Sequence, residues 1–239
     1  MTAKASSRIA NALTGVDWRE NVNQFCQSRS AEKSEEALSR IAIWALQLET
    51  ADRGNGALSF VRELQVQSHH AVASLALALY KPAAGAMRAM LENALLYTYY
   101  RSHPTELATL QRETDFYITK SDVLQFHVQH TPNFTKRDTA LGFTSQCSQW
   151  YSAISGIIHG QRPGAWLPPG YTRLNDIRRD SATDGESVAM LVRGTELVHN
   201  LFLIVLAPYV WEDVESGARA KLLRGLTDSR RKTLGLSIA

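Results

Sequence analysis

Two stretches of this chain are apolar on more than one helical face, and they decide what it can fold into. "AVASLALALY" (Ala71–Tyr80) and "LVHNLFLIVL" (Leu197–Leu206) have no polar side to turn toward water. Helices of that pattern belong at the centre of a bundle or against a second copy, because a large exposed apolar patch is rare on a soluble monomer. Other segments supply the amphipathic complement. In Ala31–Arg53, Leu38, Ile41, Ala45 and Leu48 recur every three or four residues with charges between them.

The same spacing predicts helices over Leu58–Tyr80, from Lys81 to about Ser102, and over Ser145–His159, with shorter ones at Thr105–Thr114 and Lys120–Thr131. Arg53–Gly56 reads as a turn. Lys81–Pro82 marks a helix start, since proline is tolerated only in the first turn. "TPNFTKRDTAL" (Thr131–Leu141) reads as a polar connection. Gly160–Glu186 holds three of the seven prolines and four of the fourteen glycines, and is long for a connector. After it, Asp184 is placed to cap a helix running to about Val214, kinked at Pro208. No segment alternates as a strand does. The expectation is an all-α fold: one helical bundle with a long Pro/Gly-rich loop after the His159 helix. Residues 30–215 form its core, 1–29 an N-terminal helical extension, and 216–239 a basic C-terminal helix or tail.

With 239 residues, 44% of them apolar and 21% charged, the chain can bury a substantial core. Cys26 and Cys147 are its only cysteines, which suits a reducing compartment better than a disulfide framework. The N-terminus lacks the apolar core of a secretory signal, and Leu197–Trp211 is too short and too polar to span a membrane. A cytoplasmic protein without a membrane partner is expected. The chain has no GxxxxGK[ST] loop, no GxGxxG turn, no CxxC pair, no HExxH and no GxSxG elbow. No cofactor and no metal site is expected.

The net charge of +3 is unevenly spread. Between Ser216 and Ala239 six cations stand against Asp228 alone. Arg224, Arg230, Arg231 and Lys232 are therefore candidates for contacts to nucleic-acid phosphates. The plainer reading is a solvated helix end whose charges suit the helix dipole.

Two polar sets sit in otherwise apolar helices. In "YKPAAGAMRAMLENALLYTYYRSHP" (Tyr80–Pro104), Arg88 and Glu92 are four apart and share a face. In "WYSAISGIIHGQRPGAW" (Trp150–Trp166), Tyr151, Ser155 and His159 also recur every four residues, and His159 falls where the helix ends. A buried Arg88 needs partners, because an unpaired buried charge costs several kcal/mol. Glu92 can serve within the helix, and Ser155 or His159 across from it. A histidine there can also act as general acid or base near neutral pH. A purely structural cluster that fixes helix register is the competing reading.

With R-A-M-L-E-N in one helix and S-G-I-I-H-G closing another, the chain resembles the divergent HEPN-type helical proteins of bacterial phage-defence, abortive-infection and toxin modules. The resemblance covers roughly Leu58–Val214. It implies a helical accessory or effector subunit of such a system, working as a homodimer or within a larger complex. In that role the chain is a binding module built on Arg88, Glu92, Ser155 and His159. Active members of the superfamily are ribonucleases that carry an Arg, four to six residues, then a His. The His moves protons at the ribose 2′-OH while the Arg stabilises phosphate charge. Upstream of His159 those positions are Ser152, Ala153 and Ile154, none of them basic. Arg62–His69 and Arg193–His199 do fit the spacing. The second pair is the better placed of the two, although six positions on a regular helix put side chains about 120° apart. The alternatives are thus an endoribonuclease acting on RNA through His159 or through Arg193 and His199, and a helical oligomerisation protein with no site.

Overall fold

In the computed structural model, residues 2–236 are described and are arranged as helices joined by turns and one long irregular segment, with no strand among the described residues. Met1 of the N-terminal segment and the last three residues of the C-terminal one lie outside that range.

Four long helices form a closed ring. They are α3 (Arg29–Ala51), α4 (Leu58–Ala76), α5 (Tyr80–Tyr100) and α10 (Ser181–Val205), packed in the order α3, α4, α5, α10 and back to α3. Each turns a stripe inward: Ile41, Trp44 and Leu48 from α3, Leu64 and Leu75 from α4, Met87, Met90 and Leu91 from α5. Helix α9 (Phe143–Ile158) lies on α5 and α10. Between α5 and α9 come the shorter α6 (Pro104–Arg112), α7 (Lys120–His130) and α8 (Phe134–Leu141).

The two all-round apolar runs have different fates. Leu197–Leu206 is buried at every position except the half-buried Asn200, in a helix that packs on α3, α5, α8 and α9. Ser181–Val205 is long and apolar enough to cross a membrane by length and composition, but 67% of its most apolar window is buried inside the bundle. Ala71–Tyr80 is not one helix. The chain leaves α4 after Ala76, turns through Ala78 at φ 59°, and enters α5 at Tyr80, so this run is the corner of a helical hairpin. Only Ala71, Leu75, Ala78 and Tyr80 of this run are buried; Ala73 is exposed and the others are half-buried, because a corner turns only part of its apolar surface inward.

The long helix also differs from expectation at both ends. Its cap is Asp180, whose carboxylate accepts from the Thr183 amide at 2.9 Å. Asp184 lies one turn inside, buried, paired with Arg179 and accepting from the Ser30 hydroxyl at 2.6 Å. Arg179 further donates to the Leu75 carbonyl at 3.0 Å and lies over the Phe25 ring. This buried pair ties the end of the long loop to α4 and to α2 (Trp18–Cys26). The helix stops at Val205 rather than near Val214. Pro208 has no N–H for the Ile204 carbonyl and its ring crowds that group. The freed carbonyl accepts instead from Arg137 at 3.2 Å.

Arg137 belongs to α8, in the stretch expected to be a polar connection. Only Phe134 and Leu141 are buried in this helix, one at each end, too few to set a period. Left-handed backbone at Asn133 (φ 58°) and Gly142 (φ 66°) bounds it.

The termini pack on the bundle. Helix α1 (Thr2–Thr14) meets a 3-10 turn at Leu174–Asp176, and Phe25 of α2 is buried. After a short helix α11 (Ala207–Val210), α12 (Ser216–Leu222) lies on α3 and α13 (Asp228–Leu234) on α8.

Candidate functional site

Helix α5 has a mostly buried surface, and Arg88 and Glu92 stand on its one polar strip. Arg88 Nε donates to Glu92 Oε1 at 2.9 Å, the helical i,i+4 pair. Both side chains keep some contact with water, at 26% and 38% exposure, so the pair is a rim feature rather than a sealed one.

Helix α9 brings two more groups to it. The Tyr151 hydroxyl donates to the same Glu92 oxygen at 2.5 Å, and the Arg88 guanidinium lies 4.7 Å from the centre of the Tyr151 ring. Two turns later, His159 caps the C-terminus of α9, and its Nε2 is 3.0 Å from Arg88 Nη1. A guanidinium only donates, so His159 Nε2 is the acceptor and the neutral ring carries its proton on Nδ1. His159 is exposed, and the chain turns away from it through Gly160 at φ 68°.

The cluster is electrostatically self-consistent. Burial works against the Arg88 charge, but the hydrogen bond and charge of Glu92, with help from Tyr151, outweigh it and raise its pKa above the ordinary value. The Tyr151 phenol is raised chiefly by burial, then by its bond to Glu92 and that carboxylate's charge, against the opposing pull of Arg88. Tyr151 therefore remains a hydrogen-bond donor at neutral pH.

Ser155 is not part of this network. It lies between Tyr151 and His159 on the helix, but its buried hydroxyl has no hydrogen-bond partner. One residue absent from the sequence reading does join. Lys120, at the first position of α7, places Nζ 5.2 Å from the centre of the Tyr151 ring. Behind Tyr151 and Glu92 opens a cleft of about 350 Å³, walled by Leu95, Leu96, Ile118, Lys120 and Val123. Nothing local in "TKSDV" separates Lys120 from any other first-turn lysine; only the docking of α7 on α5 brings it to Tyr151.

Arg193 and His199 do not form a pair. Arg193 is exposed, whereas His199 is buried and its Nδ1 accepts from Trp44 Nε1 at 2.9 Å. Burial first, then the charge of Arg40, pull the His199 pKa down to about 3, against an opposing contact with the Leu222 backbone. A histidine held neutral and closed off from solvent is a core group. Arg62, of the other spaced pair, is held by Glu49 through two hydrogen bonds of 2.7 and 2.9 Å.

The basic tail is also less free than its composition implies. Arg231 donates to the Leu223 carbonyl at 3.2 Å and lies 3.6 Å from Asp228. Arg224 and Lys221 share a groove with Glu32, Glu35 and Glu36 of α3, which offsets their charge. Arg230 and Lys232 remain exposed.

Fold and site together define an all-α protein that carries an Arg–Glu–Tyr–His cluster at the solvent end of one helix, beside a small cleft. No family model, no curated protein and no solved structure matches this chain.

Proposed function

We propose that the chain is a HEPN-like helical binding module, an accessory or effector subunit of a bacterial defence or toxin-like system, acting in the cytoplasm as a homodimer or within a larger complex. Its working part is the cluster of Arg88, Glu92, Tyr151 and His159. The observation that carries this reading is the 3.0 Å approach of His159 Nε2 to Arg88 Nη1 at an exposed helix end. A cluster that served only to fix helix register would be better sealed. Here the guanidinium and imidazole face water, where a partner or ligand can reach them. The test is phage challenge of cells carrying the chain with its neighbouring genes. Loss of protection in Arg88→Ala and His159→Ala, both with wild-type helix content and melting, supports the reading. Protection unchanged in both overturns it.

The same contact favours a second reading, that of a metal-independent endoribonuclease. Arg88 supplies from α5 the arginine that α9 lacks at the usual spacing. His159 would take the proton of a ribose 2′-OH as its oxygen bonds to the adjacent phosphorus and the P–O5′ bond breaks; Arg88 would stabilise the charge that grows on the phosphate, and water would protonate the departing 5′-oxygen. For that, His159 Nε2 must exchange Arg88 for the hydroxyl, so substrate has to draw the guanidinium away. Cleavage of labelled single-stranded RNA in the presence of EDTA, lost in His159→Ala and in Arg88→Ala, is the expected result. Uncut RNA at high protein concentration removes this reading and leaves the first.

A further inference from the structure

The cleft behind Tyr151 differs in chemistry from the cluster that it adjoins. Its body is aliphatic, formed by Leu95 and Leu96 of α5, Ile118 of the incoming segment and Val123 of α7. Leu95 and Val123 are buried, while Leu96 and Ile118 are half-buried and open to the cleft. One cation, Lys120, stands in this wall. Among the described residues no carboxylate lies within 4.0 Å of its ammonium group, whereas Arg88, Arg101 and Arg179 each have one. Thr119 is engaged with its own helix turn: its hydroxyl donates to Asp122 Oδ2 at 2.6 Å and accepts from the Asp122 amide at 3.2 Å. The one acid in the wall, Glu92, is already bound through Oε1 to Arg88 and Tyr151. Counting Arg88, Glu92 and Lys120, the charge around the cleft is positive by one.

We infer that this cleft is a binding site for a small aliphatic monocarboxylate, its branched or short alkyl body on Leu95, Leu96, Ile118 and Val123 and its carboxylate on Lys120. The inference rests on the binding-module reading for its place in function, and names the class of ligand that the module takes. Size, shape and charge each narrow the choice. A volume of about 350 Å³ lies at the lower end for small-molecule sites. An apolar body stabilises by leaving water, about 25 cal/mol per Å² buried. A compact ammonium ion is a point charge suited to one carboxylate, while a phosphate dianion favours several convergent donors or a guanidinium fork. Neither Arg88 Nε nor Nη1 is available for that fork, being bound to Glu92 and His159. Proximity to Tyr151 and Glu92 makes the ligand a neighbour of the cluster, so occupancy can bias how Arg88 and His159 are presented.

The test is calorimetric titration of the full chain with 4-methylpentanoate, with 4-methylpentylamine and 4-methylpentanol as charge controls. The acid should bind, and the amine should not. Lys120→Ala should weaken the acid about tenfold or more, the loss of one charge-assisted contact. Lys120→Glu should exclude the acid and admit the amine. A glutamate at the first position of α7 is favoured by the helix dipole, so this variant retains its fold. Absence of acid binding, equal binding of acid, alcohol and amine, or indifference to Lys120→Glu each overturns the inference. The two readings fail separately. Acid binding lost only in Lys120 variants, with phage protection indifferent to Arg88→Ala and His159→Ala, keeps the cleft and removes the module. Protection that depends on Arg88 and His159, with no acid binding, does the reverse.

Discussion

His199 and His159 both interrupt apolar helices, and the bundle treats them in opposite ways. His199 sits mid-helix on α10, where α3 brings Trp44 against it, and an indole N–H meets the imidazole away from water. Trp44 also packs edge-on to Phe202, itself edge-on to Tyr97. His159 sits at the end of α9, exposed, and meets a guanidinium at the surface. The first arrangement consumes its polar groups to build the core. The second leaves them where another molecule can compete for them. A polar residue in an apolar helix therefore signals function only after its place along the helix is known.

Removing Trp44 is the most drastic way to expose that difference. Trp44→Ala takes away a fully buried ring and leaves His199 Nδ1 without a donor. Losses of this kind amount to roughly 3–5 kcal/mol in core positions. Chemical denaturation should show a drop of that size, and the cluster around Arg88 should survive in whatever fraction stays folded. A change below about 1 kcal/mol would show that the His199 region is no more essential to the core than the rim, and the comparison would collapse.

Acid offers a gentler probe of the same contrast. Burial holds the folded pKa of His199 near 3, and that of His127 near 4, against an ordinary 6.5. The Thr98 hydroxyl donates to the Leu95 carbonyl, so it accepts from His127 Nε2, and Nδ1 accepts from Thr131. Both rings are thus wired as neutral groups. Between about pH 4.5 and 6.5 the unfolded chain binds protons that the folded one refuses. Stability therefore rises with pH through that window, levels off above it, and is lost on acidification below 6.5. Unfolding at pH 5 should take up about two protons through these rings, and about one in His199→Gln, whose amide can still accept from Trp44. Melting measured across the window checks this. A slope unchanged by His199→Gln would mean that the ring is protonated in the fold.

Much of this contrast is legible in the sequence, and what is not has physical reasons. Spacing places Arg88 with Glu92, and Tyr151 with His159, because a helix determines which of its own residues share a face. It also selects Leu197–Leu206 as a buried run. Spacing within one helix cannot say which faces meet. Ser155 shares a face with Tyr151 and His159 and stays unbonded, while Lys120, 31 positions before Tyr151, reaches the ring. Nor does spacing see α8, with its two buried ends, or Asp180, whose capping role is indistinguishable in sequence from that of Asp184 four residues on. Arg193 and His199 fit a pattern of separation that their helix then divides between solvent and core.

The smallest expected effect is at the rim, and it is the one that gives the comparison its meaning. Arg88→Ala removes an ion pair whose members keep 26% and 38% of their exposure, and His159→Ala removes an exposed cap. Water screens such pairs, and exposed examples contribute about 0–1 kcal/mol. Arg88 also lends its methylenes to packing on α5, which adds a few tenths of a kcal/mol at most on the scale of surface contacts. Glu92 is left with the Tyr151 hydroxyl and with solvent, so no sealed charge is created. Each variant should therefore melt close to the wild type, with a loss of about 1 kcal/mol or less, while the double variant shows little extra cost. A loss of 3 kcal/mol or more, on the scale of breaking a buried pair, would show that the cluster is structural. In that case the open end of α9 would be a second His199, and the functional reading of His159 would fall with it.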